Sequence, residues 1–458
     1  MEIVRRPGLA FAFMATTMMS TILPAVARDL LQQQIEWCAN DGDAFSRDLQ
    51  IEGCTGAIQS QRLTGTDLSV AFNKRGSAYE DKGDYDSAIV DYDRAIELDP
   101  KDASAYNNRG EAYNDKGDHD RAIADYTKAI QLDPKYAKAY NNRGFAYDDK
   151  GDYDRAIADY DQAIALNPKN AQANNNRAVT YFKKGDYDRA IAGYTEAIKL
   201  DAQYRLAYAN RGIAYHEKGD YDGAIADYTR AIRLDPQWSK AYNDRGVAYR
   251  EKGDYDLAIA DFNQAIRLEP QYALAYNNRG SAYQDKGDFE GAIADYTKAI
   301  QIEPTSSSAY FERGLVHLFA GMPAEALADL NKASDLGYDF AYAALWLEIA
   351  NKRANQPDRL AEAVTKIDMT KWPAPLIRLY IGQTTPEQVL RAAADTSDAS
   401  TKERQICEAN FYGGELALQQ GAKDEAVRLF RLAAAGCPKD FDEYVGANAE
   451  LKALSVSK

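Results

Sequence analysis

Between residues 69 and 337 the apolar positions recur with one 34-residue period, eight times over and without an insertion. Each period holds two stripes. In one of them Tyr106, Gly110 and Tyr113 fall at i, i+4 and i+7, and Ala122, Ile123, Tyr126, Ala129 and Ile130 follow with the same helical spacing. The polar break between the stripes contains Gly117 and Asp118. A glycine suits the left-handed turn that ends one helix, and an aspartate caps the start of the next. Pro134 then stops the second helix. The pattern predicts one helical hairpin per period. A lone hairpin cannot cover both of its stripes, so neighbours must stack into a solenoid whose first helices line a concave groove.

The register never slips. The opening column reads Phe72, Tyr106, Tyr140, Asn174, Tyr208, Tyr242, Tyr276 and Tyr310, and four residues later stand Gly76, Gly110, Gly144, Ala178, Gly212, Gly246, Gly280 and Gly314. An aromatic opener, a small residue, a Tyr three later and a closing Pro on this period resemble the tetratricopeptide repeat (TPR). The resemblance implies an all-α fold, a TPR right-handed superhelical solenoid with helical caps at both ends. We divide the chain into a signal peptide at 1–27, an N-terminal helical cap at 28–68, eight repeats at 69–337, and a C-terminal helical region with a ninth TPR-like hairpin at 338–458.

Differences between the repeats carry more information than their likeness. An Arg column (75, 109, 143, 177, 211, 245, 279 and 313) replaces the large aliphatic residue usual in the TPR consensus, and an Asp column (91, 125, 159, 227, 261, 295 and 329) accompanies it. A repeated Arg facing a repeated Asp predicts a ladder of partly buried ion pairs, since a guanidinium placed there needs a partner. Repeat four breaks the ladder, with Gly193 in the Asp column. A second column holds Asn108, Asn142, Asn176, Asn210 and Asn278, interrupted by Asp244. An Asn complements a peptide bond, so such a row can grip an extended chain without reading its sequence; hydrogen bonding between repeats is the other reading. The row is similar to the asparagine ladder of peptide-binding TPR superhelices.

The neighbouring groove columns are acidic in repeats one to three, with Glu80, Asp81, Glu111, Asp115, Asp148 and Asp149. Repeats three to five then supply Phe145, Val179, Phe182, Leu206 and Ile213, with Lys183 and His216 as a basic spot. Aromatics on a solvated groove point to a protein or extended-peptide partner. Repeat eight turns apolar, with Phe311, Leu315, Leu318 and Phe319, as a dock for the helices that follow it.

The ends of the chain suggest its destination. Arg5 and Arg6, an apolar run from Leu9 to Leu23 and Ala25-Val26-Ala27 resemble a cleaved secretory signal, which points to a periplasmic or secreted protein of a bacterial envelope. No stable membrane insertion is expected after cleavage. Four cysteines fall as two separated pairs, and Cys38 with Cys54 and Cys407 with Cys437 is the natural disulfide pairing. Connectivity is not fixed by sequence, so buried free thiols stay open as the alternative.

The net charge of −15 and pI near 4.9 argue against nucleic acid, whose phosphates need a basic surface. No nucleophile with its base, phosphate loop or metal motif is recognisable, so neither enzyme activity nor a cofactor or metal is expected. In the C-terminal third, Leu345-Trp346-Leu347, Leu379-Tyr380-Ile381-Gly382, Asn410-Phe411-Tyr412 and Phe430-Arg431-Leu432-Ala433 resemble the tail of envelope TPR lipoprotein adaptors of the new lipoprotein I type. Two features depart from that family: no lipid-attachment Cys is present, and eight regular repeats exceed its array. The resemblance implies a scaffold that delivers substrates to a periplasmic protease or cell-wall hydrolase. A peptide-binding holdase for extended exported chains is the alternative.

Overall fold

A computed structural model describes residues 30–456 except 339, 358, 359 and 440. The expected signal peptide lies outside the described residues. Every regular element described is helical. Two compact units divide the chain, Met1–Ala207 and Tyr208–Lys458.

In the first unit α1 (residues 30–39) precedes α2 (Arg47–Gln59), and the hairpins α3 (Gly65–Asp81) with α4 (Tyr85–Leu98), α5 (Ala103–Asp115) with α6 (His119–Leu132), α7 (Ala137–Asp149) with α8 (Tyr153–Leu166) and α9 (Ala171–Lys183) with α10 (Tyr187–Leu200) follow. The boundary falls within α11 (Arg205–Glu217). The second unit continues with α12 (Tyr221–Leu234), then α13 (Ser239–Glu251) with α14 (Tyr255–Leu268), α15 (Ala273–Asp285) with α16 (Phe289–Ile302) and α17 (Ser307–Phe319) with α18 (Pro323–Asp335). Beyond them lie α19 (Phe340–Arg353), α20 (Leu360–Ala363), α21 (Ala374–Tyr380), α22 (Pro386–Ala394), α23 (Ala399–Gln419), α24 (Lys423–Gly436) and α25 (Asp442–Val456).

The hairpin turn follows from two residues. Gly117 sits at φ 79°, and its N–H reaches the Asn114 carbonyl at 2.8 Å while the N–H of Asp118 reaches that of Tyr113 at 2.9 Å. The Asp118 carboxylate then accepts from Arg121 N–H and starts α6. The orphan groups of both helix ends are thereby satisfied within two residues.

Close approach of the two helices explains the small column. A Cβ added to Gly110 would lie 2.7 Å from Cε1 of Tyr126, and Gly76, Gly212, Gly246 and Gly280 face the buried ring of the second helix in the same way. A mid-helix glycine costs roughly 1 kcal/mol against alanine, whereas burying an aromatic side chain stabilises by roughly 2–3 kcal/mol. Ring burial wins. In α23 and α24 the contact recurs, with Gly414 against Phe430.

The Arg and Asp columns meet as a ladder. Arg109 places Nε and Nη2 on the two oxygens of Asp125, both at 2.7 Å, and Arg75, Arg143, Arg211, Arg245, Arg279 and Arg313 fork onto their own aspartates alike. The third arm leaves the hairpin. Nη1 of Arg143 donates to Thr127 at 3.0 Å, that of Arg245 to Thr229 at 2.9 Å and that of Arg313 to Thr297 at 2.9 Å, each on the second helix of the preceding repeat. One guanidinium therefore closes its own hairpin and ties it to the layer before.

Repeat four departs because two substitutions compensate. Ala178 stands in the small column, and a Cβ on Gly193 would come within 2.8 Å of the Ala178 Cβ. The methyl has displaced the aspartate. Arg177 keeps only its arm to Asp161, and its Nε is buried without a hydrogen-bond partner.

At the chain ends, disulfides join Cys38 to Cys54 and Cys407 to Cys437, which settles the pairing. In the second unit Phe311 stacks on Tyr338 at 4.0 Å, and Phe319 and Phe411 pack on Trp346, so the apolar face of repeat eight is a dock for the C-terminal helices. The C-terminal helix α25 lies against α17, and Gln284 of α15 donates to Asp442 at 3.1 Å. Arg353 binds Glu415 and Glu450 at 2.7 Å each and fastens α25 to α19 and α23.

The compensation in repeat four is testable by thermal unfolding. Gly193→Asp alone should destabilise by about 1–3 kcal/mol through overpacking against Ala178. Adding Ala178→Gly should recover that loss and give Arg177 its fork, a coupling of about 1 kcal/mol or more. Simple additivity of the two changes would refute the account.

Candidate functional site

The first-helix face of the first unit is assembled from α3, α5, α7 and α9, whose successive members pack on one another. Its seam is made of amides. Asn142 donates to Asn107 Oδ1 at 3.0 Å and to Glu111 Oε1 at 2.9 Å, Asn108 donates to Asn73 at 2.9 Å, and Asn176 donates to Asn141 at 3.3 Å. Within each helix Asn107 and Asn141 donate back to the next residue. A continuous zipper results. In the second unit Asn278 donates to Asn243 at 2.9 Å, and Asn210 is half-buried on α11. The geometry thus gives the row the bonding between repeats that sequence held open beside peptide contact. Asn107 and Asn141, the acceptors, had escaped notice, although they stand one residue before the row in the same repeated text.

Beside the seam runs a column spaced by one repeat, Glu111, Phe145 and Val179. Phe145 is 43% exposed, and Leu206, at the start of α11, is 45% exposed. Phe182 is half-buried with its ring 5.3 Å from Tyr187 of its own hairpin. Lys183 pairs with Asp148, which also accepts from Thr180 at 2.8 Å, and Lys138 pairs with Glu111 at 3.0 Å. Those two lysines are held by acids of the face itself. Ile213 belongs to the second unit, where it packs on the cluster of Ala224, Tyr228 and Ala248, and His216 lies against Tyr221.

Electrostatically the face is an acid strip. Burial pushes the Glu80 carboxyl up to about 7 against the hydrogen bond from Tyr92 (2.6 Å), and Glu111 and Asp115 add repulsion while Lys138 opposes it. Burial also raises Asp115 and Asp149. Such carboxyls gain from a cation brought to them. Among the described residues no group of three or more His, Cys, Asp or Glu is arranged to hold a metal, and no helix is long and apolar enough to cross a membrane.

Two changes probe this face. Asn142→Ala removes both zipper bonds and should cost about 1–2 kcal/mol in thermal or denaturant unfolding; no loss would return the row to a purely ligand-facing role. Because Glu80 binds its proton more tightly when folded, its ionisation erodes stability as pH rises from about 4.5 to about 7. Glu80→Gln should therefore raise the melting temperature at pH ~8 and leave it unchanged at pH ~4. Equal shifts at both values would show that the carboxyl is unperturbed.

Comparison with known families agrees with this architecture. Family models described as TPR repeat match residues 76–117, 110–149 and 246–287, and models described as tetratricopeptide repeat match 142–204, 206–237 and 273–306. Among solved structures, MamA is 31% identical over 36% of this chain and 96% of its own, with a TM-score of 0.33. YrrB, described as a TPR protein with an unusual peptide-binding site, is 26% identical over 40% of this chain and 95% of its own, at a TM-score of 0.35. A tetratricopeptide repeat protein from Parabacteroides merdae is 22% identical over 54% and 98%, at 0.44. Period, hairpin geometry and family matches together place the chain among the tetratricopeptide repeat proteins, whose stacked hairpins are protein-binding scaffolds.

Proposed function

We propose that this protein is an exported scaffold that binds partner proteins through the first-helix face of its first unit, and that the partner segment is basic with an apolar anchor. One observation carries the reading: the column that is acidic at Glu111 becomes exposed and aromatic at Phe145 one repeat on, with Asp115 and Asp149 exposed beside it. A solvated aromatic beside raised carboxyls is suited to a Lys- or Arg-bearing segment that also buries a side chain. Export is supported by the signal-like first residues and by two disulfides, which suit an oxidising compartment. Delivery of substrates to a periplasmic protease or wall hydrolase is supported by the likeness of the C-terminal third to envelope adaptors. The zipper favours a scaffold over a holdase, because the amides that would grip any extended chain are turned to neighbouring repeats.

A crosslinking pull-down from the envelope fraction tests this reading. The chain lacking residues 1–27 should retain a small, reproducible set of partners that dissociate as salt is raised. The variant Asp115→Asn, Phe145→Ala, Asp149→Asn should lose them without a change in melting temperature. Retention of the same partners would move the interface off this face. Suppression of aggregation of unrelated unfolded chains, with no discrete partner, would favour the holdase.

A further inference from the structure

A cavity of about 450 Å³ opens in the second unit where α17, α19, α23 and α25 meet. Its walls are aromatic: Phe311 and Tyr338 stack as one flat wall at 4.0 Å, and Tyr342, Trp372 and Phe441 complete the lining. Three acidic residues, Glu408, Asp442 and Glu443, line the same space. Glu408 is only 6% exposed. Trp372 Nε1 at 2.7 Å and Tyr342 Oη at 3.0 Å both donate to its Oε2, and among the described residues no donor reaches Oε1. Glu443, equally buried, accepts from Tyr412 Oη at 3.2 Å.

Burying a carboxyl without a full set of donors is costly, and packing alone gives no reason for two of them here. Burial has pushed Glu443 up to about 8, helped by repulsion from Glu408 and Asp442, and it raises Glu408 against the hydrogen bonds from Trp372 and Tyr342 and the charge of Arg404. Arg404 lines the cavity but is exposed, and it forms no ion pair with these acids among the described residues. Aromatic faces attract cations, and a carboxylate oxygen without a donor accepts from an ammonium or guanidinium. A hard metal ion would want a shell of oxygens, whereas most of this wall is carbon. The volume suits a charged head on an aliphatic stem.

We propose that this cavity binds an organic cation, an ammonium or guanidinium head on an aliphatic stem, with Glu408 as its counter-ion and the aromatic wall around its stem. The cation comes either from a basic side chain of a polypeptide or from a free diamine-like molecule. Isothermal titration of the full mature chain separates the sources. Nα-acetyl-arginine amide stands for a side chain within a polypeptide, agmatine for the free molecule, and Nα-acetyl-citrulline amide for the uncharged shape. Saturable heat with the capped arginine assigns the site to a polypeptide; heat with agmatine alone assigns it to a small molecule and upholds the cation site. Glu408→Gln should weaken the bound cation by roughly thirtyfold or more and leave the melting temperature unchanged or higher, because an ionisable group has left the interior. No heat with either cation, equal binding of citrulline, full binding to Glu408→Gln, or binding seen only after Arg404→Ala would each overturn the proposal. The last would mean that the chain fills the cavity with its own arginine.

Discussion

The forked contact between each repeat's arginine and aspartate is the constraint around which the array is arranged. A hydrophobic residue in that column would fill the same space without choosing a partner. The guanidinium instead presents two arms to the aspartate of its own hairpin and one to the preceding second helix, so a hairpin is fastened correctly only when its neighbour is in register. Buried ion pairs contribute little net stability against well-packed apolar groups, but losing one partner is costly. The ladder is thus better suited to enforcing register than to adding stability. A stack of nearly identical layers gains from such a device, because apolar stripes alone would tolerate the sliding of one helix along its neighbour by a turn.

That arrangement depends on a second contact. The aspartate and the arginine meet where a small residue of the first helix lies against the side chain that follows the aspartate, an aromatic ring in most repeats and Leu330 in repeat eight, and repeat four changes both partners of that contact. Ala178 and Gly193 exchange a methyl across the interface, the ring stays buried, and Arg177 loses its fork. Helix spacing is therefore set by side-chain volume first and by charge second. The loosened fork belongs to the same repeat as Val179 and Phe182, where the first-helix columns turn apolar.

Much of this was legible because it is local. Period, turn glycine, capping aspartate and stop proline are read within one repeat, and the ion-pair partners recur at a fixed separation of 16 residues. The cysteine pairs were legible as neighbours, with connectivity left to the structure. The amide zipper was only half legible: the Asn column stood out, but its acceptor lies 35 residues back in a column that sequence gave no reason to single out. Ile213 shares a column with Phe145 and Val179, yet its side chain is engaged with the buried cluster of Ala224, Tyr228 and Ala248. The cavity was illegible, since its rings and carboxyls come from segments more than a hundred residues apart, and no repeat pattern links them.

One acidic bias therefore meets two fates. In the first unit the carboxyls of Asp115 and Asp149 remain exposed on the first-helix face, where a basic segment would relieve them. In the second, α25 comes down on α15 and α17 and buries their acids: Glu312 is pushed well above its ordinary range by burial and by Asp442, with Arg250, itself paired to Asp285 at 2.6 Å, opposing the rise. Burial of that kind costs free energy, which the aromatic packing of Phe311, Phe319 and Trp346 offsets. Glu312 also binds its proton more tightly in the folded state, so this contribution weakens the docked arrangement as pH rises through its elevated range. The same repeat sequence thus presents a solvated acidic face in the first unit and, in the second, a face that the chain's own C-terminal helix already covers.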